Sequence, residues 1–400
     1  MTTTPFDLGK LLSPLKTQDF FLTYWERQHL LLKREQAGYY DSLIKTADLE
    51  AIISDSDMRY PALRLAKGGG YFAPEVYTRN IKHGDESFLG VPDVKRISEE
   101  YRHGATIALP AIHRNWRALG VLCEQLQMEF DHPAHANVYI TPGNAAGFTP
   151  HYDTHEVIVL QIAGKKRWSI YAPVIDLPHR TQLFAPQAYS GQAPIAEVDL
   201  QAGDLLYLPR GFLHSTTTSD SFSAHVTLGI TVYTWADLLK EYVQTAITDK
   251  EHRRALTPGF ASRTELKPLL REQLIQALDR LRTTTDIDQL IGSFTDRVRA
   301  TRLLPPPSFT ANVSVVTLDS VLKSPPPESY RVIADEDKRV LEFNGVHYQI
   351  PIPVELTIRA MSKLRTFRGS DIAEHLEPEG RLLLIRHLTD IGFLTTAGTA

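Results

Sequence analysis

The chain has a single cysteine, Cys123, among its 400 residues. A disulfide framework is therefore excluded, and a reducing, cytoplasmic compartment is the simplest expectation. No uninterrupted run of about 18 apolar residues occurs, so no membrane span is expected. The opening MTTTPFDLGKLLSPL has neither the positively charged start nor the long apolar stretch of a signal peptide. Neither sign of charge dominates: 43 Lys and Arg stand against 47 Asp and Glu, a net charge of −4. That balance does not mark a polyanion-binding protein. Internal repeats and low-complexity tracts are also missing. What is present is 42% hydrophobic content in a chain long enough for a large core and two or three domains.

The pattern of residues changes along the chain. Residues 1–100 are mixed and are expected to pack on the core. Within them, QDFFLTYWERQHLLLKR predicts a short helix followed by an apolar strand, and GGGYF at 68–72 a loop. Between Leu109 and Phe130, the residues Trp116, Leu119, Leu122, Leu126 and Phe130 recur at spacings of three and four, which predicts a helix. From Ala136 to Tyr233 the pattern becomes short strands with Gly and Pro punctuation: ANVYITP, HYDTHEVIVLQIA, KKRWSIYAP, IAEVDLQAGD, LLYLP, HSTTTS and SAHVTLGITVY. Many short strands at close intervals predict an antiparallel sandwich or barrel of the jelly-roll kind, over residues 101–235.

Residues 236–303 return to a helical pattern, in ADLLKEYVQTAI and LKPLLREQLIQALDRLR. Proline clusters at Pro305–Pro307 and Pro325–Pro327 predict a linker over 304–329. Residues 330–400 read as a small α+β, winged-helix-like unit. VLEFNGVHYQI carries an Asn344-Gly345 hairpin signal, PVELTIRAMSKL, SDIAEHL and RLLLIRHLTDIG are helical, and GFLTTAG is a candidate wing. Positive and negative charges nearly balance in this unit, so direct DNA binding is not expected.

The stretch TPHYDTHEVIVLQIAGKKRW, 149–168, crowds ionisable groups into strand-forming sequence. On a strand, residues two apart share a face, so His151 and Asp153 project together while Tyr152 faces away. An imidazole and a carboxylate make two adjacent metal ligands. The best third is His214, which follows two turns, at Gly203-Asp204 and Pro209–Gly211, able to return it beside the first strand. Two His and one carboxylate leave open positions on an octahedral ion, which suits non-haem Fe(II) binding a co-substrate and O2. An isolated H-x-D is more often a surface pair; the distal His and the barrel pattern favour the metal. His155, four residues from His151 on the same strand face, is expected to act as a second-layer or substrate-facing group. His132 and His135 are expected to be solvent-exposed.

Ala163-Gly164 reads as a turn, after which alternation sets Lys166 with Trp168 and Ile170 on the inward face. An unpaired ammonium in an apolar cavity is costly and calls for an anion. No neighbouring acid is an evident partner, and a dicarboxylate such as 2-oxoglutarate fits, with one end on iron and the other on Lys166. The bland alternative puts Lys166 on the solvent face. Asn137 and Tyr139 share a strand face, and Thr227 follows the distal His; each is a candidate pocket group or an ordinary hydrogen-bonding residue.

The run NVYITPGNAAGFTPHYDTHEVIVLQIAGKKRWSIY, together with GDLLYLPRGFLH and SAHVTLGI, resembles the JmjC-domain ribosomal oxygenases. These are cupin-like Fe(II)- and 2-oxoglutarate-dependent protein hydroxylases. FFLTYWERQHLLLKR resembles the family's opening segment. The resemblance implies an α+β fold with a double-stranded β-helix (jelly-roll, cupin) core. It places the family's metal ligands on His151, Asp153 and His214, and its basic residue for 2-oxoglutarate on Lys166. It also places pocket positions on Asn137, Tyr139 and Thr227, and a position near cofactor and substrate on His225. It implies a homodimer formed through 236–303, and a His or Arg side chain of a ribosomal protein as substrate. Alternatives are the same chemistry on a peptide natural product or small molecule, a non-catalytic metal-binding cupin-like adaptor, and, ranked lower, N-methyl demethylation.

Overall fold

The computed structural model describes residues 6–301 and 316–396, apart from 57, 187, 188, 190, 336, 337, 344, 345 and 373. Helices α1 (Leu8–Leu12) and α2 (Thr17–Thr23) lead to strand β1 (Leu30–Leu32), helix α3 (Thr46–Asp55) and strands β2 (Arg64–Lys67) and β3 (Gly70–Tyr71). A hairpin of β4 (Thr78–His83) and β5 (Glu86–Pro92) precedes α4 (Val94–Arg102), β6 (Thr106–Leu109) and α5 (Arg117–Phe130). Then come β7 (Ala134–Thr141), β8 (Glu156–Ile170), β9 (Ala196–Gln201), β10 (Leu205–Leu208) and β11 (His214–Ile230). Helices α6 (Trp235–Gln244), α7 (Lys267–Thr284) and α8 (Ile287–Ala300) follow. The chain divides into two compact units, Met1–Phe294 and Thr295–Ala400, with the division inside α8.

In the first unit the strands run in the order β1-β10-β8-β11-β7-β6-β2-β3, with β9 also paired to β8. Two long strands serve both layers of the barrel. Residues 157–160 of β8 pair with β10, and residues 165–170 pair with β9. Residues 223–230 of β11 pair with β7, while residues 214–218 pair with the far end of β8. This is the expected jelly-roll arrangement, built on strands that bend from one layer into the other.

Side-chain alternation decides what each face packs against. Ile158, Leu160 and Ile162 of β8 join the larger core with Leu122, Leu126, Phe20 and Tyr207. Val157 and Val159, one residue out of phase, join Trp168, Ile170, Leu206 and Leu208 in a second cluster. A strand buried on both faces explains the unbroken apolar run VIVL. The N-terminal segment closes the larger core with rings: Phe20 meets Tyr207 edge-on at 4.9 Å, and Trp25 stacks on Phe130 at 4.9 Å. Truncating a fully buried aromatic of this kind costs about 3–5 kcal/mol.

The structure corrects several expectations. HSTTTS and SAHVTLGITVY form one strand, β11, not two. Gly164 is not a turn. β8 runs through it with φ +65°, and a Cβ there would lie 1.8 Å from the Phe222 carbonyl oxygen. Only glycine lets the two long strands bend so closely together. The strand expected from His151 begins at Glu156; before it, His151 makes only an isolated bridge to His214. His155 therefore does not share a regular strand face with His151. The helix expected between Leu109 and Phe130 is present as Arg117–Phe130, with Trp116 at its N-cap.

The second unit contains β12 (Val321–Lys323), β13 (Tyr330–Asp335), β14 (Lys338–Phe343), β15 (Val346–Gln349), α9 (Ile352–Ser362), β16 (Thr366–Arg368), α10 (Pro378–Asp390) and β17 (Thr395–Thr396). Its sheets run β16-β12-β17 and β13-β14-β15 over a core of Leu322, Ile358, Met361, Phe367 and Ile385. The expected linker is corrected in part: β12 lies within 304–329 and pairs with β16 and β17. Among the described residues of SDIAEHL, the regular structure is the end of a short 3-10 turn, Gly369–Ile372, rather than an α-helix. The Asn344-Gly345 turn and Pro305–Pro307 lie outside the described residues. No helix among the described residues is long and apolar enough to cross a membrane.

Candidate active site

A two-residue bridge fixes the site. His151 N–H donates to the His214 carbonyl at 3.2 Å, and His214 N–H donates to the His151 carbonyl at 2.8 Å. This reciprocal pair sets the two imidazoles side by side, with ring centroids 4.5 Å apart. The turn before His214 is anchored to the same segment, for Gly211 N–H donates to the Asp153 carbonyl at 3.0 Å. Gly211 has φ +90°, and a Cβ there would lie 2.4 Å from the Ile175 carbonyl oxygen. The sequence PRGFLH thus delivers His214 to the H-x-D pair through a turn that requires glycine.

The donor atoms of His151, Asp153 and His214 all lie within 4.8 Å of one another. His214 Nε2 is 3.6 Å from Asp153 Oδ2. Two ligands at a right angle, each about 2.1 Å from an ion, stand about 3 Å apart, so small rotations complete the set. Backbone carbonyls select the imidazole tautomers. His151 Nδ1 lies 2.8 Å from the Thr149 carbonyl and His214 Nδ1 lies 3.1 Å from the Phe212 carbonyl. A carbonyl can only accept, so Nδ1 carries hydrogen in both and the Nε2 lone pairs converge on the carboxylate. Burial would raise the Asp153 carboxyl, but His155, His214, His151 and His135 together hold it below its usual range. Burial, with His151 beside it, lowers His214 to about 4, so it stands ready as a neutral donor.

These groups line a cavity of about 280 Å³ that also includes Lys166, Asn137, Tyr139, Thr227, His225 and His155. All nine residues singled out from the sequence are therefore brought together. Lys166 is 2% exposed, with Trp168 at 3% and Ile170 at 0% on the same inward side. Its amine donates to Thr141 Oγ1 at 3.0 Å, and Thr141 shares a 3.1 Å hydrogen bond with Thr106. No carboxylate among the described residues pairs with it, and burial lowers it to about 7. Lys165 and Arg167, on the opposite face, both bind Asp199 at 2.9 Å.

Tyr139 and His225 are register partners on β7 and β11, and their rings stack at 5.3 Å. His225 is 3% exposed and is held well below its usual value by burial, then by Lys166 and His214. Asn137 and Thr227 are the register pair two residues along, on the same face, and Asn137 Oδ1 accepts from the Ala111 N–H at 2.9 Å. His132 and His135 are not solvent-exposed as expected. His132 stacks on Trp25 at 6.5 Å and accepts from the Tyr233 N–H at 3.3 Å, while His135 packs edge-on to His155 at 5.0 Å.

Sequence reasoning missed other members of the site. Phe148 meets Tyr71, Tyr139 and His151 at 5.7, 6.0 and 5.8 Å, forming an aromatic wall. Phe148 stands three residues before His151, a position that could have drawn notice. Tyr71 sits in GGGYF and carries no sequence signal. Glu156, in the charged stretch 149–168, lies outside the cavity lining. It is 0% exposed, accepts from Tyr207 Oη at 2.5 Å and Arg210 Nη1 at 2.7 Å, and Arg210 also pairs with Glu26. This ion network ties the start of β8 to the turn that carries His214.

Residues 111–238 match the JmjC domain family. The chain is 32% identical to chicken (Gallus gallus) ribosomal oxygenase 1 over 259 residues, covering 62% of this chain and 41% of that protein. It is 30% identical to bovine (Bos taurus) ribosomal oxygenase 2 over 307 residues, covering 74% of this chain and 61% of that protein. The chain thus spans about half the length of these curated relatives. Among solved structures, Escherichia coli YcfD, a ribosomal oxygenase in complex with cobalt and 2-oxoglutarate, aligns with a TM-score of 0.54. That alignment has 16% identity and covers 96% of this chain and 99% of YcfD, a likeness of fold.

Proposed function

We propose that this chain, which belongs to the JmjC ribosomal oxygenase family, is an Fe(II)- and 2-oxoglutarate-dependent oxygenase that hydroxylates a protein side chain. A His or Arg side chain of a ribosomal protein is the proposed target. One observation carries this reading. Three metal donors converge in the same cavity as a buried amine that has no carboxylate partner among the described residues. A metal alone would leave the amine unexplained, and a dicarboxylate bridging the two satisfies both. The names of the relatives and the ligands of YcfD support the cofactor pair.

The donor set fits the metal: two neutral imidazoles and one carboxylate leave open positions for other ligands. His151 Nε2, His214 Nε2 and Asp153 would hold Fe(II). Bound there with 2-oxoglutarate and O2, iron supplies an oxidative decarboxylation that yields succinate, CO2 and a hydroxylated substrate carbon. The chain contributes placement. Lys166 and the Thr141 hydroxyl would bind the far carboxylate of 2-oxoglutarate, with Thr106 fixing the Thr141 rotor. Tyr139, Phe148 and Trp168 exclude water from the reacting atoms. Asn137 and Thr227, fixed by their register pairing, would orient the co-substrate or the target.

Exposed apolar residues support a homodimer through the helical region. Trp235, Leu239 and Val243 of α6 are 80, 57 and 55% exposed and recur every four residues along one stripe. The winged-helix-like unit is proposed to serve protein contacts rather than DNA, and the chain to work in the cytoplasm. The full ligand set and Lys166 weigh against a non-catalytic adaptor.

The test uses the purified chain with Fe(II), ascorbate and 2-oxoglutarate. Succinate formation, rising when ribosomal-protein peptides are added, is expected. No succinate under any of these conditions would remove the assignment.

A further inference from the structure

The metal donors are flanked by residues that belong to a different cluster. Tyr152 lies between His151 and Asp153, Leu213 lies beside His214, and both are buried with Tyr171 away from the cavity lining. The connection between β8 and β9, residues 171–195, completes that cluster with Ile175, Phe184 and Tyr189. It touches the donor-bearing backbone at three points. Tyr171 N–H donates to the Leu213 carbonyl at 2.8 Å. Tyr152 Oη donates to the Gln182 carbonyl at 3.0 Å, and its ring meets Phe184 edge-on at 5.2 Å. Gly211, whose N–H reaches the Asp153 carbonyl, is seated against Ile175 and Pro178; a Cβ there would lie 2.8 Å from Pro178 Cδ.

An irregular connection of this length is expensive to order, and it can brace the donors only where something fixes it. One ion cluster does so. Arg180 donates to both oxygens of Asp237, at 3.0 Å from Nη1 to Oδ2 and 2.5 Å from Nη2 to Oδ1, and His179 Nε2 lies 3.3 Å from Oδ1. Asp237 is itself immobilised in the capping box of α6, where Oδ2 accepts from the Thr234 N–H and hydroxyl at 2.9 Å each. Burial would raise the Asp237 carboxyl, but Thr234, His179 and Arg180 together hold it down to about 2, so it is a carboxylate at any working pH. The clamp stands one step from the donors: His179 N–H donates to Gln182 Oε1 at 2.9 Å, and the Gln182 carbonyl receives Tyr152.

We propose that Arg180 and Asp237 are positioning residues for the metal centre: they clamp the β8–β9 connection to the start of α6, and the connection, through Gln182 and Tyr152, keeps His151 and Asp153 in place beside His214. This role rests on the oxygenase reading for the identity of the centre, and adds to it residues that touch neither metal nor co-substrate. Inside the barrel, His151 and His214 share one isolated bridge rather than a ladder. Three donors must meet an ion at about 2.1 Å each, so a shift of a fraction of an ångström in the 151–153 segment weakens the whole set. The outer brace supplies the support that the missing ladder does not.

Arg180→Met removes the clamp and leaves the Asp237 cap in place. In the metal-free full chain, hydrogen exchange followed by mass spectrometry should be faster in peptides covering residues 149–156 and 209–216. The denaturant midpoint should stay close to that of the wild type, as for other half-exposed ion pairs. Titration with Co(II), read from the visible absorption of the bound ion, should show affinity weakened roughly 2- to 30-fold, the range for changes that act through a packed network. Arg180→Lys, which keeps one charged contact, should recover part of the affinity, and Tyr152→Phe, which loses the bond to Gln182, should behave like Arg180→Met. Unchanged exchange and unchanged Co(II) affinity in Arg180→Met overturn the positioning role and leave the oxygenase reading standing. An affinity loss matched by an equal loss of global stability also overturns it, since the clamp would then serve the fold alone. Wild-type Co(II) binding that survives Asp153→Ala overturns the centre, and the positioning role with it.

Discussion

Replacing Lys166 with Met should change stability and co-substrate binding in opposite directions. The amine falls from 10.5 in the unfolded chain to about 7 in the fold because it is buried. The unfolded chain thus binds more protons between those values, and stability rises with pH across that window. Below pH 7 the penalty for the buried charge is fully present; above 10.5 it is gone. At pH 7 it amounts to about 4 kcal/mol, and at pH 9 to about 2 kcal/mol. Met has a similar length and no charge, so the metal-free Lys166→Met protein should be more stable at pH 7. The wild type should gain about 2 kcal/mol from pH 7 to 9 that the variant does not. Denaturant unfolding at the two pH values measures this. Titration calorimetry of zinc-loaded protein with 2-oxoglutarate measures the other half. Loss of a charge-assisted hydrogen bond to the carboxylate, at about 1.5–3 kcal/mol, should weaken binding roughly 10- to 150-fold. A variant less stable than wild type at pH 7, with unchanged 2-oxoglutarate affinity, would refute both the burial and the task given to Lys166.

Asp153→Ala should abolish turnover and sharply weaken Co(II) binding, read by metal analysis after gel filtration; retained stoichiometric metal would place the centre elsewhere. Arg210→Met leaves Glu156 buried without its guanidinium, and unfolding should show a loss of about 3–5 kcal/mol. Gly164→Ala forces a Cβ against the Phe222 carbonyl at a left-handed backbone position, and should destabilise by about 2 kcal/mol or more in the same assay. Leu239→Asp combined with Val243→Asp should convert a dimer to a monomer in sedimentation velocity, without altering succinate formation per chain.

The jelly-roll, the inward side of β8 and the pairing of His151 with Asp153 in one cavity were legible because they depend on short-range rules. Alternation alone separates Lys166, Trp168 and Ile170 from Lys165 and Arg167, and the structure keeps that separation. The same rule failed just before Glu156. There the backbone is held by one isolated bridge, and no ladder imposes a period of two on His155. The bend at Gly164 was misread as a turn for a related reason. A glycine at positive φ marks both a reversal and a close crossing of strands, and only the partner, here Phe222, tells them apart. The half-buried state of His132 and His135 depends on Trp25 and His155, which sequence distance hides.

The crowding of charge in residues 149–168 follows from the way the jelly-roll uses one segment three times. Before β8, the chain passes the cavity, which His151, Asp153 and His155 line. At the first residue of β8 it meets the turn that carries His214, and Glu156 and Arg210 join the two across the core. Past Gly164 the strand enters the other layer, where one face gives Lys166 to the cavity and the other gives Lys165 and Arg167 to Asp199 on β9. Removing the Asp199 partner should cost little, since exposed ion pairs contribute about 0–1 kcal/mol. Removing the buried Glu156 partner should cost several times more. The charges of one short stretch thus differ widely in energetic weight, and burial rather than residue type sets the order.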